Sequence, residues 1–349
     1  MDNGNGGDHR QGSVLVVGGT HGNERNGLWL LDQWRQQPGQ LHRHGLALEL
    51  VVGNPVAAQA NRRYVERDLN RSFRAELLSD PDNQELEVLR ARQLLARHGP
   101  EGSKPCLVAI DLHSTTAAMG NSLVLYNRRP ASLALAAVLQ RRLGLPIYLH
   151  ESDPRQSGYL GACWPCAVVI EVGPVAQGLV SGRICQQSQI AVETALEALA
   201  QAREGPIALG TELLVHGHLR SIDLPRHGDG SPAGLVHPYL QDRDWRPLGA
   251  GDPLFVAGDG TTIAFTPENG DGSGTLWPVF INEAAYGEKG IALSLTRREM
   301  VPVAAGWAAS LTELARRLEQ DPPDPASNRA RASAASRASS TAISTANQG

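Results

Sequence analysis

VLVVGGTHGNE, residues 14–24, joins a run of small β-forming side chains to a Gly-Gly turn. An apolar run that stops at two glycines predicts a buried strand ending in a tight turn. Beyond it, Leu28, Leu31 and Trp34 follow one another at helical spacing, which predicts a helix over residues 24–37. The chain therefore opens with a strand-turn-helix unit whose polar residues lie on the turn.

The turn carries a histidine and a glutamate three residues apart, His21 and Glu24. Positions three apart on a helical turn have Cβ atoms about 5–6 Å apart. An imidazole and a carboxylate at that separation can reach one cation, and zinc accepts both ligand types. The alternative is a solvated histidine beside a first-turn glutamate that complements the helix dipole. The spacing alone leaves both interpretations open.

Alternation of strands and helices continues to about residue 205 and predicts an α/β catalytic domain over residues 13–205. The apolar strand-like runs are Val14–Val17, Ala47–Val52, Leu107–Leu112, Ser122–Tyr126 and Val168–Val172. Helical stretches separate them, so we expect a mostly parallel or mixed sheet flanked by helices. In such sheets, ligand sites form beyond the carboxyl ends of the strands.

The remaining chain has a different texture. Short apolar runs separated by Gly, Pro and Asp predict a smaller β-rich domain over residues 206–318, closed by a helix near Ala304–Leu318. Residues 319–349 are rich in Ser, Ala and Pro and are expected to be a disordered tail. The Gly-rich residues 1–12 are expected to be a flexible N-terminus.

Composition excludes several classes of partner. The formal net charge of −4 provides no basic field for nucleic acid or for an anionic membrane. Apolar runs are too short for a transmembrane helix, and the polar start lacks a signal peptide, so a cytoplasmic location is expected.

Cys163 and Cys166 form a CxxC without a second Cys or His pair nearby, and we predict a structural role. A homo-oligomer is compatible with these features.

A catalytic zinc needs a third protein ligand, and His113 is the candidate. It follows the strand run Leu107–Leu112, and the two-residue period of a strand places Asp111 on the same face, where it can support the ligand. The alternative is a strand-end histidine bonded to the neighbouring Ser or Thr. His216 and His218 are also two apart, but without a carboxylate beside them we predict a solvated strand face.

The arginine-rich segment Asn54–Arg74 starts at the same expected sheet edge. Asn70 and Arg71 offer several donors to a carboxylate, with bidentate geometry from the guanidinium. Arg63 can polarise a carbonyl and stabilise developing oxyanion charge.

Glu171 interrupts the apolar run Val168–Val172, which costs free energy unless the carboxylate has a partner or a task. An apolar environment would raise its pKa towards the range of a general base. Pairing with an arginine is the alternative. Tyr286, in PVFINEAAYGEK, lies in a predicted loop that can bring a phenol donor to the site.

Five motifs in order resemble the succinylglutamate desuccinylase/aspartoacylase family of the zinc-carboxypeptidase-like fold group. They are GGTHGNE, NRRY with DLNR, DLHSTT, IEVGP and NEAAY, and the resemblance extends from about Ser13 to Thr296. It implies a hydrolase with one zinc ion per subunit that cleaves N-acyl-L-aspartate, with N-acetyl-L-aspartate first, to a carboxylate and aspartate.

The resemblance also implies a role for each motif residue. The zinc ligands would be His21, Glu24 and His113. Glu171 would be the general base that activates the attacking water. Arg63 would polarise the scissile carbonyl, while Asn70, Arg71 and Tyr286 would hold the substrate carboxylate.

The sequence departs from the animal members of the family where these bind substrate. Gly161 stands where they have an arginine, and Ser157 where they have a tyrosine. Arg155 or Tyr159 can rebuild that part of the pocket. Desuccinylation of succinylglutamate and deacylation of other N-acyl amino acids are therefore alternatives, and a non-enzymatic binding protein is a further one.

Overall fold

A computed structural model describes residues 10–151, 153, 156–272 and 274–321. The strands are β1 (Ser13–Gly18), β2 (Leu48–Val52), β3 (Cys106–Ser114), β4 (Asn121–Leu125), β5 (Ile147–Leu149), β6 (Cys166–Val172), β7 (Glu212–Ile222), β8 (Gly234–Val236), β9 (Pro253–Ala257), β10 (Thr262–Ala264), β11 (Trp277–Val279) and β12 (Leu293–Pro302). The α-helices are α1 (Arg25–Gln36), α2 (Pro55–Gln59), α3 (Ala75–Ser79), α4 (Leu86–His98), α5 (Pro130–Leu143), α6 (Gly182–Glu204) and α7 (Ala305–Arg316).

A nine-stranded mixed sheet forms the centre of the molecule, in the order β11-β12-β7-β5-β4-β6-β3-β1-β2. Strands β2, β1, β3 and β6 are mutually parallel, whereas β4 runs antiparallel to β6. This confirms the predicted α/β class with a mixed sheet. Because β1, β3, β6 and β2 are parallel, their carboxyl ends lie at one edge, and the motif residues at or just after these ends are brought together there.

Both faces of the sheet are covered, which explains the continuous apolar runs of its central strands. Val14 and Val16 of β1 pack in one core with α1, α5, α6 and α7. Leu15 and Val17 point to the other face, into a second core with Leu94 of α4 and the buried Trp164. Successive side chains of a strand point to opposite faces, so the position of a polar residue along the strand decides which face it lies on.

The second half of the chain is β-rich, as predicted, and part of it joins the central sheet. Strands β7, β11 and β12 extend the central sheet, and α7 packs against α5 and α6. Only β8, β9 and β10 form a sheet of their own, a three-stranded one, among the described residues. Local alternation along a strand is the same in either sheet, so the short runs after residue 205 gave no sign of this.

Residues near both predicted domain limits form isolated β-bridges. Gly12, placed in the flexible N-terminus, forms a β-bridge with Leu318, and Gln320 of the predicted tail forms one with Leu46. Residues 1–9 and 322–349, which carry the rest of those two predictions, lie outside the described residues. Within the described part of the chain, no helix combines the length and apolar character needed to cross a bilayer.

Candidate metal centre and active site

The GGTHGNE turn depends on two of its glycines. Gly19 has φ of +70°, in the left-handed region that favours glycine. At Gly22, a Cβ atom would lie 2.1 Å from the backbone carbon of Ala57, so a side chain there would collide with α2. The turn is thereby pressed against α2, and α1 begins directly after Glu24, as predicted.

His21, Glu24 and His113 converge at this edge of the sheet. The Nδ1 atom of His21 lies 2.7 Å from Oε1 of Glu24, and Nδ1 of His113 lies 3.0 Å from Oε2. One ligand atom from each residue lies within 4.8 Å of the other two, and all three side chains are buried. Two imidazole nitrogens and a carboxylate that face one point are the donor set of a catalytic zinc site.

The second ring nitrogen of each histidine contacts a carboxylate, which orients the ring. Nε2 of His21 lies 2.9 Å from Asp68, and Nε2 of His113 lies 2.9 Å from Asp111, on the strand face predicted for it. Asp111 in turn accepts a 2.7 Å hydrogen bond from the hydroxyl of Thr20. Carboxylates that fix the ring and tautomer of a ligand histidine are typical of metal centres. The residues therefore fit a divalent metal.

Burial and charge act together on these groups. Burial would raise the pKa of Glu24, but the adjacent His21 and His113 hold it far below the ordinary carboxyl range. Burial would lower the pKa of His113, but Asp111 and Glu24 raise it well above the ordinary histidine range. The pocket thus concentrates negative charge around the two imidazoles, as a cation site requires.

Glu171 lies beside His113, because the parallel register pairs the two residues directly across β3 and β6. Its side chain is buried and lines the same cleft. Burial raises its pKa well above the ordinary carboxyl range, and the nearby negative charges of Glu24 and Glu283 add to that effect. A carboxyl with a raised pKa beside a metal centre has the properties of a general base.

All eight residues predicted for the site line one cleft. Arg63 is held by ion pairs with Glu24 at 3.4 Å and Asp68 at 3.3 Å. Its Nε–H is buried and has no partner among the described residues, so a donor remains for a bound oxygen. Tyr286 reaches the cleft from the turn of 3₁₀ helix at Ala284–Lys289.

Asn70 and Arg71 occupy a short 3₁₀ turn. The carboxylate of Asp68 caps this turn by accepting a 2.9 Å hydrogen bond from the backbone amide of Asn70. The guanidinium of Arg71 donates to Gln156 Oε1 at 2.8 Å and lies 4.4 Å above the ring of Tyr159. These contacts hold Arg71 in place where it lines the cleft.

The wall near Gly161 is aromatic. Tyr126 and Tyr159 stack with ring centroids 3.7 Å apart, and Tyr148 and Phe280 complete the lining. Gly161 and Ser157 add no cation there, and Tyr159, one of the two predicted substitutes, lines the cleft. Arg155, the other, lies outside the described residues.

The prediction for His216 and His218 was wrong. His216 is buried and packs edge-on against Trp245 at 4.8 Å, and burial lowers its pKa to about 4. His218 contacts the hydroxyl of Tyr148 at 2.8 Å and faces a carboxylate, Asp153. Strand β7 lies inside the central sheet, paired with β5 on one edge and β12 on the other, and its sheet partners could not be predicted from the strand itself.

The two CxxC cysteines are free thiols. Burial raises the pKa of Cys163 to about 11 and that of Cys166 to about 12, whereas the pKa of a reactive thiol is lowered. Their environment agrees with the structural role predicted for them.

Sequence reasoning missed several residues of the site. Asp68, within the arginine-rich segment, was not singled out, and neither was Glu283, which accepts hydrogen bonds from Thr115 and Thr116. His150 lines the cleft directly after β5. Its position at a strand end is the same signal that identified His113, but β5 is only three residues long.

Comparison with known proteins identifies the family of both parts of the chain. The model of the succinylglutamate desuccinylase/aspartoacylase catalytic domain matches residues 10–201, and that of the AstE/AspA barrel-sandwich hybrid domain matches residues 211–298. A probable aspartoacylase of Parasynechococcus marenigrum is 56% identical over 86% of this chain and 98% of its own length. One from Prochlorococcus marinus is 54% identical over 86% and 97%.

Among solved structures, murine aminoacylase 3 has 34% identity and a TM-score of 0.75, covering 84% of this chain and 97% of that one. Succinylglutamate desuccinylase from Vibrio cholerae shares the fold at 18% identity and a TM-score of 0.53, over 84% and 85%. The motifs, the donor set and the matched domains agree, and the chain belongs to the succinylglutamate desuccinylase/aspartoacylase family.

Proposed function

We propose that this protein is a zinc-dependent amidohydrolase that cleaves N-acyl-L-aspartate, with N-acetyl-L-aspartate first, to a carboxylate and L-aspartate. The observation that carries the proposal is the placement of Glu171 beside the convergent donors of His21, Glu24 and His113. The curated relatives with 54–56% identity, described as probable aspartoacylases, support the same reaction class.

His21, Glu24 and His113 would hold the zinc ion, one per subunit. When bound there, zinc would lower the pKa of a water molecule and stabilise developing oxyanion charge. Glu171 accepts the proton of the attacking water and returns it to the leaving amine, as its raised pKa allows.

The remaining residues bind and polarise the substrate. The unpaired Nε–H of Arg63 is available to the scissile carbonyl oxygen, on which negative charge develops. Arg71 and Asn70, beside each other on their 3₁₀ turn, bind the α-carboxylate together with the phenol of Tyr286. These contacts orient the amide carbon for attack.

A second candidate function is deacylation of N-acyl amino acids with neutral side chains. The aromatic wall of Tyr126, Tyr148 and Tyr159, with Gly161 in place of an arginine, favours it. The 34% identity to murine aminoacylase 3, whose name does not specify aspartate, supports deacylation of N-acyl amino acids in general. Desuccinylation of N-succinylglutamate is a third activity to be compared.

A substrate panel on zinc-loaded protein, with metal content measured alongside, tests the proposal. N-acetyl-L-aspartate, N-acetyl-L-phenylalanine and N-succinyl-L-glutamate are compared by kcat/KM. The proposal expects the highest value for acetylaspartate. Turnover of acetylphenylalanine alone would favour the second candidate function over the first. No turnover of any of the three substrates would contradict the assignment as an amidohydrolase.

Two variants test the assigned roles separately. Glu171→Gln should lower kcat by about 10²–10⁴-fold with zinc retained, because a general base contributes that much. His113→Ala should lose zinc and activity together. Glu197→Gln, which removes an exposed partner of Arg142, is the matched control and should change neither. Normal turnover in Glu171→Gln would remove the base assignment, and full zinc occupancy in His113→Ala would place the third ligand elsewhere.

A further inference from the structure

A second cluster of two histidines and a carboxylate lies outside the set described above. His150 directly follows β5, and His218 lies on the adjacent strand β7. Asp153 completes the cluster, and one ligand atom of each residue lies within 4.8 Å of the other two. The cluster and the first centre are the two such groups among the described residues.

The two imidazoles are oriented by tyrosines in a way that resembles the first centre. Nδ1 of His150 lies 3.0 Å from the hydroxyl of Tyr159, and Nδ1 of His218 lies 2.8 Å from that of Tyr148. With its Nδ1 atom engaged, His150 has Nε2 left to a ligand. Nε2 of His218 already lies 3.6 Å from Asp153 Oδ2. A hydrogen-bonded rear nitrogen is typical of a metal-binding histidine.

His150 supplies an independent observation. Its Nε2 atom is buried and has no hydrogen-bond partner within the described part of the chain. Buried polar atoms are almost always paired, so an unpaired one calls for an explanation such as an ion. Burial, with the neighbouring His218, lowers the pKa of His150 to about 3. The ring is therefore neutral at pH 7, which a metal ligand must be.

We propose that His150, His218 and Asp153 form a second binding site for a divalent transition-metal cation. Two imidazoles and one carboxylate suit zinc and cobalt better than the hard cations calcium and magnesium, which prefer oxygen. His150 lines the cleft that contains Glu171, and Asp153 lines the adjoining cavity together with Gln156. The site thus lies in the wall between the two. It does not depend on the proposed function.

The test is a Co²⁺ titration of the metal-free full-length protein, followed by visible absorption and by metal content after gel filtration. The wild type should bind two equivalents. His150→Gln and His218→Gln should each bind one equivalent fewer. His216→Gln is the matched control, since His216 is a buried histidine on the same strand outside the cluster, and it should bind as the wild type does.

Tyr159→Phe gives a graded readout, because it removes only the hydroxyl behind His150. Its affinity for the second equivalent should fall about 10–100-fold, as for other residues that orient a ligand. Circular dichroism of each variant confirms the fold.

The outcomes separate this proposal from that for the first centre. One equivalent in the wild type, lost in His113→Ala and kept in His150→Gln, would overturn the second site alone. If the wild type binds one equivalent, and His150→Gln loses it while His113→Ala keeps it, the first centre would be overturned and the second would stand. An equal loss in His150→Gln and His216→Gln would also overturn the second site, since the effect would not be specific to the cluster.

Discussion

Asp68→Asn should weaken both the fold and the metal centre, because the carboxylate of Asp68 ties four groups together in a buried setting. It contacts His21 Nε2 at 2.9 Å, the amide of Asn70 at 2.9 Å, Lys289 Nζ at 3.0 Å and Arg63 Nη2 at 3.3 Å. Its side chain is only 6% exposed, so water cannot replace these contacts. Asn keeps the shape and one acceptor but removes the charge.

The expected loss of unfolding free energy is about 3 kcal/mol. Breaking a buried ion pair by removing one partner costs about 3–5 kcal/mol, and the amide oxygen of Asn recovers part of that. The catalytic effect has a different origin. His21 loses the group that orients its ring, so metal affinity and kcat/KM should fall about 10–100-fold.

The pH dependence adds a check with a definite sign. Burial would raise the pKa of Asp68, but His21 and Arg63 hold it well below the ordinary value of 3.8. Its stabilisation is therefore complete above pH 3.8 and is lost as the pH falls through the lowered pKa. The stability gap between wild type and variant should be full at pH 7 and should narrow in acid.

Urea unfolding of the metal-free proteins at pH 7 and pH 3, with metal affinity and kcat/KM at pH 7, measures all three effects. Asp32→Asn is the control, because Asp32 is 61% exposed and pairs with Arg35 across one helical turn. It should change stability by less than about 0.5 kcal/mol. Equal stability of Asp68→Asn and wild type, or unchanged metal affinity, would refute the reasoning.

Three further changes give distinct outcomes. Because burial raises the pKa of Glu171 above 4.5, the acidic limb of kcat/KM against pH should lie above pH 4.5, and the limb should vanish in the residual activity of Glu171→Gln. Gly161→Arg adds a cation, so it should raise the ratio of kcat/KM for acetylaspartate to that for acetylphenylalanine at least about tenfold. The uncharged Gly161→Gln should leave this ratio unchanged. Gly22→Ala should lower the unfolding free energy in urea by about 1–3 kcal/mol, since its Cβ would lie 2.1 Å from the Ala57 backbone, while Gly39→Ala, with open space around it, should not.

The sequence predicted the first centre because its signals are local. An apolar run followed by Gly-Gly and a polar residue marks a strand end, and parallel strands bring such ends to one edge. His21 follows β1, and His113 lies near the carboxyl end of the neighbouring strand β3. Glu171 stood out because it is charged within a buried run. For these residues, chain pattern and spatial position are directly linked.

The residues that were missed depend on long-range packing. Asp68 belongs to the centre only because its loop folds back on His21, 47 residues away in sequence. His218 was predicted to lie on a solvated face because no carboxylate is near it in the sequence, whereas Asp153 approaches it from another part of the chain. Its partner His150 follows a three-residue strand, too short to register as a periodic signal. Sheet order, which decides these cases, is a property of the whole chain.

The charge in the cleft links its specificity to the second cation site. Among the described residues, its only guanidinium groups are Arg63, which Glu24 and Asp68 already neutralise, and Arg71. An N-acyl aspartate brings two carboxylates, so one of them lacks a cationic partner. A divalent cation held by His150 would supply that charge in the wall of the cleft. The two proposals together therefore require that His150→Gln lower kcat/KM for acetylaspartate more than for acetylphenylalanine, and an equal fall for both substrates would separate the second site from substrate choice.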